Sequence, residues 1–178
     1  MSGPVFQDLA HDLIGPDVRL YWDQAVYKKP GNPLEFPWHQ DNAYTYVSPQ
    51  QYVTCWVALS DATVENGCPW VVPGRHKLGT VVHELRDEGF SCLDDPEDAV
   101  AVPVEAGSVV VFSSLTPHRT GPNLSDGVRK AYVVQIAADG ASVMQAGTDA
   151  DPVFHPCNAP DRQFYILKDG QPPQPDAV

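Results

Sequence analysis

Between residues 18 and 137 the chain is cut repeatedly by breakers, drawn from 18 prolines and 13 glycines that follow no repeat. The runs between them are short and dense in β-branched and aromatic residues, a pattern that folds as many short strands joined by turns. An all-β, β-rich domain is therefore expected. The clearest strand is "QYVTCWVALSD" (51–61), closed by Asp61 and the turn-forming "ENGCP". "VRLYWDQAVYKK" (18–29) is a second, closed by Pro30, Gly31, Asn32 and Pro33, and "PWHQDNAYTY" (37–46) reads as the next extended segment. "PWVVPGRHKLG" (69–79) continues extended with a break at Pro73 and Gly74.

Two further runs, 99–114 and 128–137, flank "TPHRTGPNLSDG", which predicts a strand pair joined by a wide turn. Residues 84–99 are acidic and aperiodic, so a surface loop, with at most a helical turn, is expected there. A short helix is expected at "FQDLAHDLIG", where Phe6, Leu9, Leu13 and Ile14 fall near helical spacing and Gly15 and Pro16 end it. With 178 residues there is room for one domain, assigned to 1–170, and the Pro-rich polar end at 171–178 reads as a disordered tail.

A formal net charge of -12 repels phosphate backbones and anionic lipid, which argues against nucleic acid and membrane as partners. No apolar run has the length of a membrane span, and the first residues lack a signal pattern, so a cytoplasmic location is expected. Four cysteines without CxxC spacing read as reduced thiols.

Chemistry concentrates in "WHQDNAYTY". In a strand, residues two apart face the same side about 6 to 7 Å from each other, so His39 and Asp41 could share one ion. His118, at the expected end of a strand, is the candidate third ligand, and two histidines with one carboxylate make the facial triad of non-haem Fe(II) oxygenases. Taken singly each has an ordinary reading: a packed histidine beside Trp38, a capping aspartate, a turn histidine. Arg129 lies eleven residues beyond His118, at the start of the next strand, and its planar fork suits a dicarboxylate.

The stretches "HQDNAYTYVSPQQYVTCWVALSDATVENGCPWVVPGRHKLG" and "VEAGSVVVFSSLTPHRTGPNLSDGVRKAYVVQIA" resemble the phytanoyl-CoA dioxygenase family of Fe(II)- and 2-oxoglutarate-dependent oxygenases. The resemblance spans about residues 12 to 137 and rests on an ordered series of motifs. It implies a double-stranded β-helix, a jelly-roll-like barrel with minor helices. His39, Asp41 and His118 match the iron ligands, and Arg129 matches the arginine for the distal carboxylate of 2-oxoglutarate. Thr120 matches a hydroxyl assisting that arginine, Trp56 a tryptophan near the cosubstrate, and Gln24 and Phe36 lie on segments that flank it. Gln40 matches the motif but, by alternation, should point away from the iron and support the ligands.

The implied reaction consumes O2 and 2-oxoglutarate, yields succinate and CO2, and oxidises a small organic substrate. Retention of Asp41 favours hydroxylation over halogenation. Family members carry a long segment ahead of the point where this chain begins, which leaves three readings: a minimal member, an incomplete gene model, or a protein completed by a partner. Apolar surface left bare would favour a homo-oligomer. The competing functional readings are a non-catalytic or partner-completed β-barrel module, and a metal-dependent cupin-like isomerase or hydrolase. Arg75 precedes His76 where many relatives have a small residue; at a substrate entrance it would favour an anionic substrate.

Overall fold

In the computed structural model the short runs pair into antiparallel sheets, and the apolar faces of the two largest, of five and four strands, meet; a three-stranded and a two-stranded sheet complete the described residues. Residues 3–50, 52–87, 89–145 and 151–173 are described. The strands are β1 Val18–Lys28, β2 Phe36–His39, β3 Val47–Ser48, β4 Tyr52–Ala58, β5 Pro69–Val71, β6 Glu84–Arg86 and β7 Gly89–Ser91. They continue as β8 Val100–Ala101, β9 Val109–Ser113, β10 His118–Thr120, β11 Arg129–Ala138, β12 Ser142–Gln145, β13 Val153–Pro156 and β14 Tyr165–Leu167. A helix, α1 Pro4–Leu13, precedes them, and a helical turn, α2 Asp41–Tyr44, follows β2. The major sheet has the order β14, β1, β11, β4, β9, and the minor sheet β2, β10, β5, β8. This is the expected jelly-roll class.

Register explains the core. Trp56 lies opposite both Val133 and Val110, and Ala58 opposite Ala131, so all five face the same side of the major sheet. They meet Phe112, Cys68 and Trp70 in a buried cluster between the sheets. Cys55, Val134 and Ile136 face the other side and pack beneath α1 through Ala10 and Phe6. With both faces covered, β11 is buried at every residue from 133 to 137, unlike a half-exposed strand. Helix α1 starts at Pro4, where a missing N–H does no harm, and gives way at Gly15, whose φ of 141° suits only glycine.

Several expectations need correcting. The segment 37–46 is not one strand: β2 ends at His39, and buried Asn42 anchors a helical turn, its N–H donating to the Ser114 carbonyl and its side-chain oxygen accepting from Val47 N–H. The runs 99–114 and 128–137 are not a hairpin either. β9 and β11 each pair with β4 from opposite sides, and the link between them crosses to the minor sheet, where His118–Thr120 is itself a strand. The aperiodic stretch 84–99 contains a two-stranded hairpin, β6 with β7.

The four cysteines are free, with Cys55, Cys68 and Cys157 buried. Of the expected tail, 174–178 lies outside the described residues, whereas Gln171 bridges back to Lys168. Among the described residues no helix is long and apolar enough to cross a membrane.

Candidate metal centre

His39 closes β2 and His118 opens β10, and the two are direct partners across the ladder, which puts both imidazoles on one face. Their ring centroids are 4.1 Å apart. Asp41 arrives differently from the expected alternation: as the first residue of α2 it turns back, and its Oδ1 lies 3.6 Å from Nε2 of each histidine. One ligand atom from each of the three falls within 4.8 Å of the others. The chain's turn after His39 thus achieves what a straight strand was expected to do.

Hydrogen bonds fix the ligand state. His39 Nδ1 donates to the Pro37 carbonyl at 2.8 Å and His118 Nδ1 to the Thr116 carbonyl at 2.9 Å, which leaves both Nε2 lone pairs directed at the shared space. Thr54 donates to Asp41 Oδ2 at 2.6 Å, so Oδ1 is the oxygen presented with the imidazoles. Burial would raise the Asp41 pKa, but His118, His39 and the Thr54 hydroxyl outweigh it and hold the carboxyl well below its usual range. Burial beside His39 pushes His118 down to about 4. At neutral pH His118 is a neutral imidazole facing an ionised carboxylate, the state a divalent cation requires.

Gln40 points away as expected. It is fully buried, gives Nε2 hydrogens to the Leu115 and Gly79 carbonyls, and accepts the Val81 N–H at 2.8 Å. Its own backbone N–H donates to His83 Nε2 at 2.9 Å, tying the 79–83 loop behind the ligand strand. Sequence reading missed Thr54, Asn42 and His83. Thr54 was within reach, since it stands two residues before Trp56 on the same face of β4; Asn42 and His83 act through contacts 38 and 43 residues apart in sequence that no local pattern announces.

Arg129 is 1% exposed, and among the described residues none of its three guanidinium nitrogens has a hydrogen-bond partner. A buried charge left without acceptors is expensive, so an anion is the natural complement. Burial lowers its pKa to about 10, which keeps it charged at neutral pH. The guanidinium carbon sits 5.2 Å from the Trp56 ring, and Trp56, Val133 and Gln24 lie in one row across the sheet. Gln24 is exposed on that inner face. Phe36 pairs with Thr120 in the minor sheet and sets its half-exposed ring edge-on to His39 at 4.6 Å. Tyr44 stacks on Phe36 and also meets His39 edge-on, at 5.3 Å. Arg75 is engaged by Asp98, Nη2 to Oδ1 at 2.9 Å, and is not a free cation.

The model of the family Phytanoyl-CoA dioxygenase (PhyH) matches residues 2–131. A phytanoyl-CoA dioxygenase of Arabidopsis thaliana is 35% identical over 122 residues, covering 65% of this chain and 43% of that protein. The chain therefore spans under half the length of that relative. The structure of EvdO2 from Micromonospora carbonacea complexed with 2-oxoglutarate is 33% identical, with a TM-score of 0.63 over 84% of this chain and 59% of that one. The epimerase SnoN in complex with Fe3+, alpha ketoglutarate and nogalamycin RO is 26% identical, with a TM-score of 0.73 over 93% of this chain and 71% of that one.

Proposed function

Since this chain belongs to the phytanoyl-CoA dioxygenase family of Fe(II)- and 2-oxoglutarate-dependent oxygenases, we propose that it hydroxylates a small organic substrate, converting 2-oxoglutarate and O2 to succinate and CO2. The observation that carries the reading is Arg129, a buried guanidinium without acceptors on the inner face of the sheet that also supplies Thr54 to the ligand carboxylate. A metal site alone has no use for it.

The donor set fits the cofactors. His39, Asp41 and His118 would hold the iron through two imidazoles and one carboxylate oxygen. Iron(II) there supplies oxygen activation coupled to oxidative decarboxylation of the keto acid. Arg129 would take the distal carboxylate through its fork, assisted by Thr120, with Trp56 packed against the guanidinium and Gln24 and Phe36 at the flanks. Thr54 keeps Asp41 ionised and aimed, and Gln40 keeps the His39 strand end in place. Val110, Val133 and Phe112 line the inner face with apolar surface that excludes water from the metal side.

Hydroxylation is favoured over halogenation because Asp41 occupies the position that a halide would need. The test is anaerobic titration of apoprotein with Fe(II) and then 2-oxoglutarate, following the weak visible charge-transfer band of the chelate. A saturable band is expected, and it should shift when a true substrate is added. Folded, iron-loaded protein that gives no band sinks the reading.

A further inference from the structure

Lys28 is the last residue of β1 and lies directly opposite Arg129, the first residue of β11, so two cations share one face of the major sheet where these strands end and begin. Lys28 is 8% exposed. Its ammonium donates to the carbonyls of Leu34 at 3.2 Å, Thr120 at 3.0 Å, and Gly121. All three donors are thus spent on backbone oxygens. Glu35, the acidic group that acts on it electrostatically, is engaged by Arg119. A buried ammonium held only by carbonyl dipoles and set beside a second buried cation is an arrangement that stability alone disfavours.

The surroundings show that the junction is built. Gly67 has φ 87°, and a Cβ there would stand 2.5 Å from the Gly121 oxygen and 3.1 Å from Lys28 Cδ. Asn123, fully buried, donates to the Lys28 carbonyl at 2.9 Å and to the Gly127 carbonyl at 2.8 Å. Three segments, the end of β1, the turn at 65–68 and the link from Thr120 to Asn123, therefore converge on one lysine stem.

The geometry points to Lys28 as a positioning residue for the dicarboxylate: it clamps the Thr120 and Gly121 carbonyls to the strand pair that carries Arg129, and it adds a second positive charge to that end of the site. His118 does not depend on it, being held by the Thr116 carbonyl and by β-pairing on both sides. The inference rests on the proposed function, and it separates cosubstrate affinity from metal affinity.

The experiment is calorimetric titration of zinc-loaded protein with 2-oxoglutarate, free of turnover, on wild type, Lys28→Met and Lys28→Gln. The glutamine variant keeps amide donors for the carbonyls and tests the charge should the methionine variant fail to fold. Both variants should bind 2-oxoglutarate about tenfold or more weakly, with zinc affinity within about twofold of wild type. Unchanged 2-oxoglutarate affinity overturns the inference. Parallel loss of zinc and 2-oxoglutarate affinity also overturns it, since that is general loosening. Wild type that binds zinc but no 2-oxoglutarate overturns the parent reading itself, and this inference with it.

Discussion

Thr54 Oγ1 stands 2.6 Å from Asp41 Oδ2, while the other carboxylate oxygen faces the Nε2 atoms of His39 and His118 at 3.6 Å each. A hydroxyl on β4, between β11 and β9 in the major sheet, thereby decides which oxygen of the aspartate faces the two imidazoles. Partners of this kind tune affinity by about 10- to 100-fold. Thr54→Val, nearly isosteric, should weaken Fe(II) or zinc binding by about tenfold without unfolding the protein, as read from a competition titration and far-UV circular dichroism. Wild-type affinity in the variant would show that Asp41 is oriented by something else.

Arg129 should set function against stability. Its unpaired buried charge opposes folding of the apoprotein, and replacing such groups with apolar ones of similar volume is often neutral or stabilising by about 1 to 4 kcal/mol. Arg129→Met is expected to raise the urea midpoint of the apoprotein, or leave it in place, while 2-oxoglutarate affinity falls by about 100-fold. A variant that unfolds at markedly lower urea would mean the guanidinium holds the barrel together rather than awaiting an anion.

Acid should destabilise the apoprotein from an unusually high pH. His118 is neutral when folded, with a pKa of about 4, against about 6.5 in the unfolded chain, so between those values the unfolded state binds the extra proton. Its contribution to stability is full above pH 6.5 and declines as pH falls toward 4, at up to about 1.4 kcal/mol per pH unit. Asp41 acts in the same direction at lower pH, because its folded pKa is depressed and its contribution is lost as the carboxylate protonates. Urea midpoints from pH 7.5 to 4.5 measure the slope, and His118→Gln should flatten its upper part; an unaltered slope would place the proton elsewhere.

Gly67 should admit no side chain. Its φ of 87° is strained for any L residue, and the added Cβ would lie 2.5 Å from the Gly121 oxygen and 3.0 Å from that of Pro122. Gly67→Ala is expected to lose about 2 kcal/mol or more in urea denaturation. Full stability would mean that the 65–68 turn can withdraw from Gly121 and Lys28, and the Lys28 junction would lose its support.

The features readable from the residues alone are local ones. The β-branched runs at Val18–Lys28 and Tyr52–Ala58 became strands because side-chain shape and period act within a few residues, and the breakers closed them near the expected turns. The candidate ligands His39, Asp41 and His118 were legible as a group because their residue types stand in an ordered series of motifs, and the structure brings them together. Tertiary structure decided how those residues meet. His39 and Asp41 converge through a helical turn, since buried Asn42 recruits Ser114 and Val47, and local alternation cannot register such a bond. The 99–114 and 128–137 runs lie apart, on either side of β4, because pairing depends on which apolar faces can be covered together. The roles of Thr54 and Lys28 follow from bonds to residues 13 and about 90 positions away, and only the folded chain brings those partners within reach.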